Sequence, residues 1–166
     1  MKTVLILLLT IGPVMNIWAR NEVSDSTKTE LVEAYLHYAF TEQYEKQGEL
    51  MHPQIVDYHP TVLQNPARGR QELIKGWRET RESLSSASYE MSGIGELLIT
   101  DGDMSGKWIV TTGILKTKFR GSDKQLRSHM VGFYKIEGGL IKEVRNYGNL
   151  LDIYLQMGYT LLPSRE

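Results

Sequence analysis

Four consecutive strand-like stretches, joined by tight turns, fill most of the second half of the chain. These stretches are 87–100, 104–119, 124–137 and 140–149. Two of the turns contain Asp101-Gly102 and Gly138-Gly139, dipeptides that favour hairpins, so neighbouring strands should run antiparallel. Strands this long are unusual and need strong twist or bulges, for which glycines are suited. The expected bending points are Gly93, Gly95, Gly106 and Gly113.

Two helical segments precede these strands. The first spans Thr29 to Gly48 and has apolar residues around most of its middle, which predicts a helix held between a sheet and other helices. A turn and an extended piece with two prolines follow, and a second helix starts near Arg70. Helices followed by an antiparallel meander indicate an α+β domain with its helices against one face of a cone-shaped sheet.

Composition excludes several classes of protein. The 166 residues are 41% hydrophobic and 23% charged with a formal net charge of -1, which fits a single globular domain and offers no basic stripe for nucleic acid. The chain has no cysteine, so disulfides, thiol nucleophiles and zinc-thiolate sites are excluded. None of the common metal or nucleotide motifs is present, and we expect neither a metal nor another cofactor.

The N-terminus differs from the rest of the chain. Lys2 precedes an uncharged run that ends near Ala19. This pattern is typical of a signal peptide, here over residues 1–19, and predicts an exported protein, periplasmic or secreted. The run is also close to the length that spans a bilayer, so an uncleaved anchor is the alternative. The predicted organisation is completed by a linker, a domain and a tail, at 20–28, 29–158 and 159–166.

The last strand leads directly into a short apolar helix. Alternate residues of a strand share a face, so Arg145, Tyr147 and Asn149 should place a cation, a phenol and an amide on one wall. The following helix would close that wall. This arrangement predicts a pocket between the sheet and the helices.

Two motifs resemble a known superfamily. Val56-Asp57-Tyr58-His59-Pro60, followed by Arg68-Gly69-Arg70, is similar to a His-x-Pro loop that leads into a Gly-Arg helix start. The terminal strand, with Leu155-Gln156-Met157-Gly158 after it, is similar to an Arg-x-Tyr-x-Asp strand before a Leu-x-Gln-x-Gly helix. Together they resemble the nuclear-transport-factor-2-like superfamily, in its SnoaL-like polyketide cyclase and ketosteroid-isomerase-related branches. The resemblance implies a curved sheet packed against about three N-terminal helices.

The resemblance also suggests what the pocket does. Enzymes of this superfamily commonly use an Asp at the position of Asn149 as acid or base, and an amide cannot titrate near neutral pH. We therefore expect the domain to bind a small lipophilic molecule. The alternative is a cofactor-free isomerase, cyclase or dehydratase, with His59, His129 or Glu143 as candidate acid or base. A third hypothesis is an interaction module that forms homodimers through the outer sheet face.

Each candidate residue also has a structural interpretation. Arg145 and Glu143 lie two residues apart on one strand, and they either bind a ligand or form an ion pair with each other. Aromatic side chains at helical or strand spacing belong either to the pocket wall or to the core. The aromatic candidates are Tyr35, Tyr38, Trp77 and Trp108. The predicted ligand contacts are Tyr35, Tyr38, His59, Trp77, Arg145, Tyr147 and Asn149.

Overall fold

A computed structural model of the protein describes residues 25–58 and 66–160. The described helices are α1 (Asp25–Phe40), α2 (Tyr44–Glu49), α3 (Arg70–Glu82) and α4 (Leu150–Met157). The described strands are β1 (Met51–Tyr58), β2 (Ala67–Arg68), β3 (Leu84–Ile99), β4 (Gly106–Phe119), β5 (Leu126–Glu137) and β6 (Leu140–Gly148). No helix in these two ranges is long and apolar enough to cross a membrane. The predicted signal peptide lies outside the described residues.

All six strands form one curved sheet in the order β2-β1-β6-β5-β4-β3. The predicted α+β class is confirmed, including the hairpins that join β3 to β6. The sheet is mixed, however, because β1 runs parallel to β6, with Tyr58 opposite Arg145. The predicted meander of β3 to β6 is antiparallel, and the parallel pair of β1 and β6 is a feature that the sequence does not predict. A parallel pair needs a long connection, and here that connection is most of the domain.

The sheet is irregular at two of the four expected bending points, Gly93 and Gly113. The pairing of β3 with β4 shifts register between Met91 and Gly93. A Cβ on Gly113 would lie 2.5 Å from the carbonyl oxygen of Glu90 and 2.6 Å from the ring of Tyr89, so only glycine fits there. The ring of Tyr89 therefore crosses the neighbouring strand and covers its backbone. These features help the sheet to curl around the helices.

The first predicted helix is divided in two. α1 starts at Asp25, within the predicted linker, and ends at Phe40. Glu42 has a φ of 61°, a left-handed conformation that a helix cannot continue through. The hydroxyl of Thr41 donates to the carbonyl oxygen of His37 at 2.7 Å and supports this turn. α2 then begins at Tyr44 as a separate helix.

The helices pack on the concave face of the sheet, the face to which Ile109, Tyr134 and Val144 contribute core side chains. α1 supplies Val32, Tyr35 and Leu36 to this core. The opposite surface is called the outer face here. Its residues include Tyr58, Trp108, Phe133, Arg145 and Tyr147. The candidate site lies between this face and the helices that cover it.

Candidate functional site

A cavity of about 300 Å³ lies between the helices and the concave face of the sheet. Most of the side chains around it are apolar. From the helices it is lined by Ala39, Phe40, Tyr44, Glu72, Leu73, Gly76, Trp77, Thr80 and Arg81. From the strands and their ends it is lined by Asp57, Ala67, Leu84, Ala87, Leu115, Thr117, Met130 and Asn146. An apolar cavity with few polar groups is typical of small-molecule sites.

The spacing of the lining residues follows from the elements that carry them. Leu73, Gly76, Trp77 and Thr80 lie at helical intervals of three and four, so α3 presents one continuous stripe to the cavity. On β1, Ile55 and Asp57 share the concave face because they are two residues apart. The strand that buries Ile55 in the core therefore also directs a carboxyl group into the apolar cavity.

Asp57 is the acidic residue that strand β1 directs into the cavity. It is only 9% exposed, and its Oδ1 has no hydrogen-bond partner among the described residues. Burial disfavours the charged form and raises the pKa of Asp57 from 3.8 to about 7. A carboxyl group with this pKa is present in both protonation states near neutral pH. It can therefore accept a proton from a ligand or donate one to it.

A second, smaller cavity of about 30 Å³ lies next to the first. The two share Phe40, Trp77, Met130 and Asn146 in their linings. Hydroxyl groups surround the smaller one, from Tyr35, Tyr89, Thr111 and Tyr134. This smaller cavity, lined by the buried Tyr35, Thr111 and Tyr134, forms the deep end of the site, and its hydroxyl-bearing residues suit the polar end of a mostly apolar ligand.

Tyr35 lines this deep end and is near enough to Asp57 for the charge of Asp57 to affect it. Its side chain is 1% exposed, and its hydroxyl has no hydrogen-bond partner among the described residues. Burial raises the pKa of Tyr35 well above its ordinary value, and the charge of Asp57 raises it further. The phenol therefore stays protonated at neutral pH. It keeps an O–H donor available beside the carboxyl group.

Two aromatic candidates lie where the sequence predicts them. Trp77 lines both cavities, and Tyr35 lines the smaller one. The ring of Trp77 contacts that of Phe40, with centroids 5.8 Å apart. Tyr38, in contrast, faces away from the cavity, and its ring lies beside the ammonium of Lys46 at 5.6 Å. The prediction that Tyr38 lines the pocket is wrong, because this position of α1 points outward.

Arg145 and Tyr147 lie on the outer face, and the prediction that they face the cavity is wrong. The guanidinium of Arg145 lies 4.4 Å from the ring centroid of Tyr58 and 5.8 Å from that of Trp108. The ring of Tyr147 contacts Phe133, with centroids 5.7 Å apart. Trp108 belongs to the same group of rings and does not line the cavity. These residues of β6 therefore lie on the face of the sheet opposite to the one that the sequence predicts.

The remaining predicted residues of the last strand and its neighbour are also distant from the cavity. Glu143 accepts a hydrogen bond from Arg145 Nε at 2.6 Å, which is the ion pair that the sequence allowed. His129 is exposed on the outer face, opposite Ile114. Asn149 lies beyond the end of β6 and caps α4, where its Oδ1 accepts from the backbone N–H of Asp152 at 3.1 Å. None of the three can reach a ligand in the cavity.

His59 lies outside the described residues, so its role stays a prediction. Asp57 and Asn146 line the cavity but are not among the residues that the sequence predicts for the site. A signal for each was present, because Asp57 shares a strand face with Ile55, and Asn146 shares one with Val144. A polar residue in phase with buried apolar neighbours is either a buried structural group or part of a site.

The sequence matches one known family, and the structure shares its fold with solved proteins. The model of the SnoaL-like domain matches residues 32–144. No curated protein matches the sequence significantly. An LEH-like epoxide hydrolase from M. tuberculosis is similar in structure, with a TM-score of 0.63 at 16% identity over 80% of this chain and 90% of that one.

Two further solved structures resemble the chain at low identity. IdmH from Streptomyces antibioticus, a proposed polyketide cyclase, has a TM-score of 0.62 at 16% identity over 78% of this chain and 97% of its own. A nuclear-transport-factor-2-like protein of unknown function from Burkholderia pseudomallei has a TM-score of 0.66 at 12% identity, over 80% of this chain and 98% of its own. At these identities the likeness shows the fold alone.

Proposed function

This chain belongs to the SnoaL-like domain family, and we propose that it is an acid–base enzyme acting on a small, mostly apolar molecule held in the cavity. One observation carries the proposal, the buried carboxyl group of Asp57 in an apolar chamber with no partner for its Oδ1 among the described residues. Burying a carboxyl group costs free energy unless hydrogen bonds or a paired charge compensate, and a ligand in the cavity would supply the missing partner. Groups with strongly shifted pKa values in clefts are frequent at active sites.

The proposed chemistry is proton transfer at carbon next to a carbonyl group. The carboxylate of Asp57 removes a proton from the substrate, and negative charge develops on the substrate oxygen. N–H and O–H groups that point at this oxygen stabilise it. The amide of Asn146 and the phenol of Tyr35 supply such donors from the deep end. Returning the proton to a different atom isomerises the substrate. In a ring closure the carbanion instead attacks a second carbonyl group, and the alkoxide formed there takes the proton back from Asp57.

Ligand binding without turnover is the second candidate function. The mostly apolar lining of the cavity favours it, since burial of apolar surface gives affinity without any chemistry. In that case Asp57 would only orient the polar end of the ligand. The two candidates share the cavity and differ in whether Asp57 transfers a proton.

Deuterium exchange distinguishes the two candidates. The protein is incubated in D₂O with 2-tetralone, whose acidic C–H groups lie next to its carbonyl, and the loss of proton signal is followed by NMR. We expect exchange above the solution rate, and a loss of about 100-fold or more in Asp57→Asn. Glu143→Gln makes the same chemical change at a carboxylate on the outer face and serves as the control. Equal exchange by Asp57→Asn and wild type would contradict the enzyme proposal, whereas binding with no exchange would favour the second candidate.

Export is proposed from the N-terminal sequence, which lies outside the described residues. Lys2, the apolar run after it and Ala19 support cleavage by a signal peptidase. The intact mass of the protein recovered from the host envelope or medium tests this. A mature chain beginning near Arg20 is the expected result. An intact chain that stays with the membrane fraction would favour the anchor instead.

A homodimer through the outer face is proposed as the assembly. Leu97 and Tyr147 lie on this face and are 42% and 44% exposed, beside the buried ring of Trp108. Partly exposed apolar and aromatic side chains on a sheet are typical of interfaces. Sedimentation analysis of wild type and Tyr147→Lys tests the proposal. A monomeric wild type at micromolar concentration would contradict it.

A further inference from the structure

Gly76 occupies the middle of α3, although glycine weakens a helix relative to alanine. Its backbone is not among the residues with positive φ, so its conformation does not require glycine. A Cβ at this position would meet nothing within 4 Å. At Gly113, by contrast, a Cβ would collide with backbone. Neither backbone strain nor close packing therefore explains the glycine in α3.

The position of Gly76 in the site does offer an explanation. It lies on the stripe of α3 that lines the cavity, between the buried Leu73 and the exposed Thr80. Solvent reaches Gly76 itself, which places it at the opening of the chamber and not at its base. A side chain there would project into the open part of the cavity. The missing side chain therefore keeps the entrance wide.

The volume of the cavity indicates the size of its occupant. An apolar cavity of about 150 Å³ holds one benzene molecule. The main chamber measures about 300 Å³, twice that size. Two fused six-membered rings fit this space, and the polar group of such a molecule would lie toward Asp57 and Asn146. A valine side chain at the entrance would remove part of the space that the second ring needs.

We propose that Gly76 determines the size of the ligand, and that the ligand class is a lipophile of two-ring size with one hydrogen-bonding oxygen. This inference rests on the proposed function, since it assumes that the cavity is the ligand site. Gly76 is then a specificity-determining residue. It contributes space rather than a contact, at the expense of helix stability.

The test measures binding and not turnover. Dissociation constants of cyclohexanone and 2-tetralone, which have one ring and two rings, are measured by ligand-observed NMR for wild type, Gly76→Ala and Gly76→Val. Lys75→Val is the matched control, because it introduces the same side chain into α3 at an exposed position. Melting temperatures show that each variant folds, and Gly76→Ala should melt above wild type.

We expect Gly76→Val to weaken binding of 2-tetralone by about tenfold or more while binding of cyclohexanone changes little. Gly76→Ala should show a smaller change in the same direction, and Lys75→Val none. If Gly76→Val binds 2-tetralone as wild type does, or loses both ketones equally, the size role of Gly76 is wrong while the proposed function stands. If wild type binds neither ketone, the proposed function is wrong, and the size assignment is wrong with it.

Discussion

Arg145 is held on the outer face by a carboxylate and two aromatic rings. Its Nε lies 2.6 Å from Glu143 Oε1, and its guanidinium stacks over Tyr58. Burial alone would lower the pKa of Arg145, but the hydrogen bond and the charge of Glu143 outweigh it, and the pKa is raised. An arginine so firmly paired is a structural element of the sheet. This arrangement leaves Glu143 no role as a free base.

Removing the charge of Glu143 should therefore affect stability and not the cavity. The side chains of Arg145 and Glu143 are 18% and 20% exposed, so Glu143→Gln should lower the free energy of unfolding by about 1–2 kcal/mol in urea titrations. Glu79→Gln in the exposed Lys75–Glu79 pair is the control, with an expected loss of no more than about 0.5 kcal/mol. Loss of ketone exchange by Glu143→Gln at unchanged stability would return Glu143 to the list of candidate bases.

Strand alternation predicts which residues share a face but not which face is buried. Arg145 and Tyr147 were correctly grouped, and the ion pair with Glu143 was among the alternatives. Assigning the group to the cavity was wrong because Val144, which is 1% exposed, and Asn146 occupy the concave face. A charged residue beside a buried valine on a strand points outward in most sheets. That rule would have identified Asn146 instead.

Gln156 and Gly158, near the end of α4, both have structural roles. The Gln156 side chain bonds the backbone of Arg127 in β5 twice, accepting from the N–H at 2.9 Å and donating to the carbonyl at 2.6 Å. Gly158 ends the helix with a φ of 96°. The segment Leu155-Gln156-Met157-Gly158 thus joins a short helix to the sheet. It is a structural motif, not part of the cavity.

Asn149 belongs to the same structural motif as the N-cap of α4. Asn149→Ala removes the acceptor for the N–H of Asp152, and we expect a loss of about 1 kcal/mol in the free energy of unfolding. Asn149→Asp should differ little from wild type, because Asp and Asn cap helices equally well. Chemical unfolding of both variants measures this. A gain of ketone exchange by Asn149→Asp would contradict the assignment, since a cap outside the cavity cannot act on a ligand.

Local signals predict the elements better than the contacts between them. The start of α3 at Arg70 and the hairpins of the meander were found because caps and turns depend on neighbouring residues. The break after α1 depends on the left-handed Glu42, a residue type that seldom adopts this conformation. The parallel pairing of β1 with β6 joins residues far apart in sequence and has no local signature. The missed features are those set by tertiary packing.

The cavity and the buried Asp57 occur at the same place in the fold, between the sheet and the helices. The space between the sheet and the helices is incompletely filled around Phe40 and Trp77. A carboxyl group on this wall has no partner for its Oδ1 among the described residues. Folding must therefore remove Asp57 from water without full compensation. The free energy of unfolding should therefore be smaller than the apolar core alone would give. It should decrease further as a larger fraction of Asp57 becomes ionised.

The raised pKa of Asp57 makes the stability of the domain depend on pH. Asp57 has a pKa of about 7 when folded and an ordinary value of 3.8, so the folded state binds its proton more tightly. The stabilisation from this proton is fully present below the unfolded pKa and is lost as pH rises through the folded pKa. The shift corresponds to a loss of up to about 4 kcal/mol between acidic and mildly alkaline conditions.

Urea unfolding of wild type and Asp57→Asn across this range measures the effect. The difference isolates Asp57, because Glu72 at the cavity and the other titrating groups are common to both proteins. The amide of the variant adds an offset that does not depend on pH. We expect wild type to lose stability relative to Asp57→Asn between roughly pH 4 and pH 7, and the difference to level off above that. A difference that stays constant with pH would mean that Asp57 ionises as freely in the folded protein as in water, which would remove the basis for its role as acid or base.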